Sequence, residues 1–85
     1  MSFAHSTELS FSYPTPDAAK RIERSIRVEV GEIDDDRSTV SLYRQQNTVG
    51  IDIEAADFVA LRAAVNSWLR YVAVAERVVN AVATR

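Results

Sequence analysis

A long apolar seam runs through the last third of the chain and limits what the chain can fold into. Its members follow one another in steps of three and four, which is the spacing of one helix face. They are Leu61, Val65, Trp68, Val72, Ala75, Val79 and Val82. A helix from Phe58 to Ala83 would be about 39 Å long, whereas a compact chain of this size is about 30 Å wide. We therefore expect part of the seam to contact another polypeptide.

The composition favours a small domain that is stabilised by association. With 85 residues the chain has room for one domain, and so small a domain buries a modest share of its surface. It has no cysteine and a single histidine, His5, so disulfides, thiolate or histidine metal sites and histidine acid–base catalysis are not expected. Oligomerisation is the remaining source of stability.

Charge and hydropathy predict a soluble, cytoplasmic protein. The net charge of −2 does not fit a protein that mainly coats nucleic acid, although local basic patches are compatible with it. The first residues lack the basic end and apolar run of a signal peptide. Arg62, Arg70 and Glu76 interrupt the apolar C-terminal segment, so we expect neither a membrane span nor a membrane partner.

The first part of the chain predicts a strand followed by a helix. Residues 8–13 alternate between polar and apolar, as a half-buried strand requires, and residues 1–6 are expected to form a mobile tail. Thr15 suits the N-cap of a helix and Pro16 its first position. We expect this helix to end between Arg27 and Val30. Its predicted inner face consists of Ala18, Ala19, Ile22 and Ile26.

Two further strands and the long helix complete the predicted fold. Residues 39–44 and 49–54 alternate in the manner of a hairpin, and Asn47 is the residue of the turn that best tolerates a left-handed conformation. Asp57 is expected to cap the long helix. The order strand-helix-strand-strand-helix predicts a single α+β domain of two layers, in which two helices cover a three-stranded antiparallel sheet.

No pattern in the sequence points to catalysis, a cofactor or a metal. Gly31 and Gly50 are the only glycines and are too far apart for a phosphate-binding loop. The acidic run at residues 32–37 lacks the glycine spacing of a calcium loop and predicts a solvated loop. Asp52 and Glu54 share the outer face of an ordinary strand. We expect no catalytic residue, metal ligand or cofactor.

A polar ridge accompanies the seam on the long helix. Arg62, Asn66 and Arg70 are spaced by four, and Arg77 extends the ridge with a different phase. One interpretation is an ordinary solvated face, and the other is a surface that contacts a partner. Alanines and valines occupy much of the remaining circumference, and a helix that is apolar on more than one side is normally enclosed.

In this helix the chain resembles a known family. The stretch from Ile53 to Val78 reads IEAADFVALRAAVNSWLRYVAVAERV. It is similar to the C-terminal helix of the Pcc family, the small dimerising subunit of the archaeal KEOPS complex. The most discriminating positions are Asn66, Ser67, Trp68, Leu69 and Arg70. Arg37 and Ser38 also match the family's layout, and the resemblance covers Leu9 to Val79.

The resemblance implies a non-catalytic subunit that assembles with other proteins. Family members pair as dimers and dock their helices on a helical hairpin of the catalytic KEOPS subunit, which transfers threonylcarbamoyl to an adenosine of tRNA. The partners implied are therefore a second copy, the catalytic subunit and, through the complex, tRNA. The residues expected to bind the protein partner are Leu61, Val65, Trp68, Leu69, Val72, Ala75 and Val79. The polar ridge is expected to contact the partner or tRNA.

Two alternatives remain open. In the first, basic residues bind tRNA directly. On the first helix these are Lys20, Arg21, Arg24 and Arg27, and further along the chain they are Arg62, Arg70, Arg77 and Arg85. In the second, the chain is a stand-alone homodimer that binds a small ligand between its layers. The geometry of the dimer is open as well, because two copies can pair through sheet edges or through helices.

Overall fold

The computed structural model describes residues 3–30 and 37–83, with side chains up to residue 81. The elements are β1 (His5–Ser12), α1 (Pro16–Arg27), β2 (Ser38–Gln45), β3 (Thr48–Ala55) and α2 (Phe58–Ala83). They form a three-stranded antiparallel sheet, in the order β1-β3-β2, with both helices packed on one face. The predicted α+β fold is confirmed. The acidic run at residues 32–36 and Arg85 lie outside the described residues.

The central strand β3 organises the core. Leu9 of β1 and Leu42 of β2 both lie opposite Ile51, so side chains on the same face are aligned across all three strands. The inward-facing side chains of β3 are fully buried under the helices, as alternation in a half-covered sheet requires. The strand β1 begins earlier than its alternation predicts. His5 and Ser6 pair with Ala55 and Glu54, which corrects the placement of these two residues in a tail.

The turn between β2 and β3 differs from the prediction in one respect. It has two residues, and the one with a positive φ is Gln46, at 56°, rather than Asn47. Two-residue hairpin turns place a positive φ at their first position, and Gln46 is the first residue of this turn. Asn47 serves another purpose, because its side-chain Nδ2 donates to the carbonyl of Tyr13 at 2.6 Å and its carbonyl accepts from the Tyr13 amide at 2.9 Å. The turn thereby holds the end of β1.

The helix α1 begins and ends where the sequence predicts. Thr15 Oγ1 accepts a hydrogen bond from the Ala18 amide at 3.1 Å, and Pro16 occupies the first helical position. The last helical residue is Arg27. Of the predicted inner face, Ala18 is half-buried, and the other three residues, Ala19, Ile22 and Ile26, are buried against the sheet and α2.

The helix α2 determines the shape of the molecule. Asp57 caps it as predicted, since Oδ1 accepts from the Ala60 amide at 2.8 Å. The molecule measures 45 × 21 × 17 Å, and its length exceeds the roughly 27 Å that an eight-residue strand spans. The far part of α2 lies on α1 instead, where Val79 is beside Ala18 and Ile22. No helix within the described ranges is long and apolar enough to cross a membrane.

Candidate functional site

The structure places most of the predicted seam inside the chain's own core. Trp68, Val72 and Ala75 are 0%, 3% and 4% exposed, so they are not available to a partner, which corrects their assignment to a partner-binding surface. Leu61, Val65 and Val79 are half-buried against the same core. The physical reason is that α2 packs on α1 as well as on the sheet. Its apolar face is therefore buried within the chain even beyond the end of the sheet. Leu69, at 44%, is exposed.

A second apolar stripe on α2 is open to solvent. Val74 and Val78, one helical turn apart, are 48% and 55% exposed. Tyr71, one helical turn before Val74, is half-buried, and its ring packs edge-on against Trp68 with ring centroids 5.3 Å apart. The sequence prediction did not assign these two valines to a site. Residues 70, 74 and 78 follow one another at intervals of four, so they share one face of the helix, and this spacing is visible in the sequence.

This stripe and α1 enclose an open groove, which we call the α1–α2 groove. Its larger part is a cleft of about 420 Å³, and a second part of about 300 Å³ continues it past Val78. Ser25 and Ile26 of α1, and Glu29 just after its end, line the larger part opposite residues 71, 74 and 78 of α2. The floor is therefore apolar and its rims are polar. Such a groove is suited to a ridge of apolar side chains from another helix.

Arginines from both helices surround the groove. Arg70 lines its larger part, and Arg21 and Arg24 line the smaller part beside Val78 and Val79. Arg77, the residue before Val78, is exposed. None of these four arginines makes an ion pair within the described part of the chain, where the paired arginines are Arg27, Arg37 and Arg44. Within the described residues, the groove is therefore lined by three arginines that make no ion pair and by one carboxylate, that of Glu29.

The structure separates the other predicted basic residues from this site. Arg27 is 2.5 Å from Glu23, and the same carboxylate is 3.3 Å from Arg44. Lys20 and Arg62 are exposed, and neither lines the two parts of the groove. The predicted polar ridge, Arg62, Asn66, Arg70 and Arg77, is exposed along its whole length. Of its arginines, Arg70 lines the groove, whereas Arg62 and Arg77 line neither part of it.

The opposite side of the molecule is acidic. Glu8 and Asp52 lie directly across from each other on the outer face of the sheet, and Glu54 shares that face. Desolvation and the nearby Glu8 carboxylate raise the pKa of Asp52 above its ordinary value. The Tyr43 hydroxyl donates to Glu8, and its ring lies where a Cβ on Gly50 would project. The chain therefore has a positive helical side and a negative sheet side.

A polar tie holds α2 against the sheet. The Tyr13 hydroxyl donates to Glu76 Oε2 at 2.8 Å, across the cleft that also contains Arg21 and Asn80. Burial and the Glu76 carboxylate raise the pKa of Tyr13 above its ordinary value, so the phenol stays protonated and remains a donor. Within residues 3–30 and 37–83, no three histidine, aspartate or glutamate side chains converge as metal ligands would.

Three comparisons relate the chain to known proteins. The family model described as "Transcription factor Pcc1" matches residues 6–80. The KEOPS complex subunit Pcc1 of Pyrococcus abyssi (strain GE5 / Orsay) is 33% identical over 73 residues, which cover 86% of this chain and 89% of that protein. A solved structure, the crystal structure of the binary complex Gon7-Pcc1, has a TM-score of 0.82 at 18% identity and covers 95% of this chain and 99% of the other. This last similarity concerns the fold.

Proposed function

The chain belongs to the Pcc1 family, and from this membership we propose that it is a non-catalytic accessory subunit of a KEOPS complex. The relative from Pyrococcus abyssi is a subunit of that complex, and it matches this chain over most of both lengths. By the resemblance of the long helix, the subunit pairs with a second copy and docks on the catalytic subunit. That catalytic subunit transfers threonylcarbamoyl to tRNA, so this chain contributes assembly rather than chemistry.

The α1–α2 groove is the observation that carries the docking proposal. Val74 and Val78 present an apolar stripe beside α1, and about half of each side chain is open to solvent. A helical hairpin of the catalytic subunit that laid an apolar ridge between α1 and α2 would bury both valines. Covering them contributes on the order of 1 kcal/mol each, because half of each side chain is already buried. The proposed docking surface is therefore not the seam itself but the neighbouring face of α2, which carries Val74 and Val78.

Three glutamate substitutions at valines of α2 test this placement. Val78→Glu lies in the groove, Val59→Glu lies on an exposed position of the first turn outside it, and Val72→Glu lies in the core. Binding to the catalytic subunit is measured by isothermal titration calorimetry, and folding by circular dichroism. We expect Val78→Glu to fold and to lose at least about tenfold in affinity, because it places a charge in a dry contact.

The two other substitutions are the controls. Val59→Glu should bind as the unmodified chain does, and Val72→Glu should unfold, because its charge would have no partner in the core. Unchanged affinity of a folded Val78→Glu variant would refute docking in the groove. Equal losses from Val59→Glu and Val78→Glu would place the contact elsewhere on α2.

We propose further that two copies pair through a sheet edge. Most of the seam packs within its own chain, which leaves β1 and β2 as the edges of the sheet and as the surfaces with unpaired backbone groups. Light scattering of the isolated 9.5 kDa chain should give twice its mass, and Val78→Glu should leave that mass unchanged. A monomeric Val78→Glu variant would show instead that copies pair in the groove.

A further inference from the structure

We propose that the arginines around the α1–α2 groove select a docking helix whose apolar ridge is flanked by aspartate and glutamate. The inference rests on the proposed function, since it names the chemistry of the segment that the groove receives. Arg21 and Arg24 line the groove on the α1 side, and Arg70 lines it on the α2 side. The partner helix would lie between Arg21 and Arg24 on one side and Arg70 on the other.

The pairing of the other arginines shows why an external acid is expected. Arg27 and Arg44 share Glu23, and Arg37 pairs with Asp57. Arg21, Arg24, Arg70 and Arg77 have no such carboxylate within the described part of the chain. Among residues 3–30 and 37–81, Glu29 is the one acidic residue that lines the groove. A helix that brought two or more carboxylates would therefore complement the rim, and each guanidinium can hold a carboxylate in a two-point hydrogen bond.

The apolar floor favours a protein over an RNA as the source of the negative charge. Phosphates would neutralise the arginines but would leave Val74 and Val78 exposed to water. Single-stranded RNA is bound through exposed aromatic platforms, whereas the aromatic residue of this groove, Tyr71, is half-buried with its ring against Trp68. A helix with an apolar ridge and acidic flanks would bury the two valines and would also pair with the arginines.

Charges at the edge of a protein–protein interface chiefly change the association rate constant. The arginines would attract an acidic helix before contact and would disfavour a basic one, so they contribute specificity and speed more than buried area. Glu29 sharpens this selection, because it disfavours carboxylates on the partner at its own position. The expected partner segment is therefore acidic near Arg24 and Arg70 and neutral or basic near Glu29.

A charge-reversal pair of variants in the complex with the catalytic subunit tests the inference. The test variant is Arg24→Glu/Arg70→Glu, and the matched control, Lys20→Glu/Arg62→Glu, reverses two exposed charges outside the groove. Association rates are measured by stopped-flow fluorescence at low and at high salt. The test variant should associate at least about tenfold more slowly at low salt and lose most of its salt dependence, whereas the control should keep at least half of the normal rate.

Other outcomes would overturn the inference, and they are distinguishable from failure of the proposed function. If Val78→Glu abolishes binding while Arg24→Glu/Arg70→Glu associates normally, the groove docks a partner but its arginines do not select it. If Arg24→Glu/Arg70→Glu assembles normally and the complex loses affinity for tRNA, the arginines contact RNA instead. Normal binding by the folded Val78→Glu variant would refute docking in the groove itself.

Discussion

Arg37 and Asp57 connect the start of β2 to the start of α2. The guanidinium of Arg37 donates to Asp57 Oδ2, while Asp57 Oδ1 accepts from the Ala60 amide at 2.8 Å. The backbone repeats the link, since the Ala56 amide donates to the Arg37 carbonyl at 2.8 Å. One carboxylate thus both caps the long helix and joins its first turn to the start of β2.

Asp57→Ala should destabilise the chain by about 1 to 2 kcal/mol, because it removes the N-cap acceptor and the partner of Arg37 together. Asp57→Asn is the matched control, since asparagine keeps a cap acceptor but has no negative charge. It should cost less than Asp57→Ala in urea unfolding followed by circular dichroism. Equal losses for the two variants would mean that the charge of Asp57, rather than its capping bond, stabilises α2.

The stability of the chain should also depend on pH through Asp57. The Ala60 amide and then the Arg37 guanidinium hold the pKa of Asp57 below its ordinary value of 3.8. A depressed folded-state pKa contributes stability that is present above the unfolded-state value and is lost as pH falls through the folded-state value. Urea unfolding at a series of pH values below about 4 should therefore show a steeper loss for the unmodified chain than for Asp57→Asn. Parallel pH profiles would contradict this assignment.

Local patterns were sufficient to predict the elements of the fold. Alternation at residues 8–13, 39–44 and 49–54, and capping by Thr15 and Asp57, depend on neighbours along the chain, and the structure confirms them. The positive φ falls on Gln46 rather than Asn47 because a two-residue hairpin turn places it at the first position, and Asn47 bonds instead to the backbone of Tyr13. That contact joins residues far apart in sequence, and no local pattern predicts it.

The proposed docking surface was harder to predict, because α2 has two apolar stripes. The spacing of apolar residues in the sequence shows both stripes, but it does not show which stripe packs against other residues of the same chain. The length of the helix suggested that part of the seam was free, whereas Val79 is half-buried against the core cluster to which Ile22 of α1 belongs. The position of α1 relative to α2 is a property of the tertiary fold. Only the structure therefore identifies Val74 and Val78 as the exposed stripe.

Gly50 and Tyr43 should behave as a coupled pair. A Cβ at position 50 would overlap the Tyr43 ring, so Gly50→Ala must displace the ring and weaken its hydrogen bond to Glu8. Alanine is also favoured over glycine within a strand by roughly 0.5 to 1 kcal/mol. We expect Gly50→Ala to stabilise a Tyr43→Ser chain by about that amount and the unmodified chain by less. A double-mutant cycle in urea measures the difference, and additive effects would show that the ring does not occupy this position in solution.

Tyr13→Phe should weaken the attachment of α2 to the sheet, because it removes the hydroxyl that donates to Glu76 at 2.8 Å. Both side chains are half-buried, so the carboxylate would lose a partner that water replaces incompletely, and we expect a loss of about 1 to 2 kcal/mol in urea unfolding. Tyr43→Phe is the matched control, since it removes a phenol–carboxylate bond on the exposed outer face of the sheet. It should cost less than about 0.5 kcal/mol, because water substitutes there. Equal losses from the two substitutions would mean that the attachment of α2 depends on packing alone.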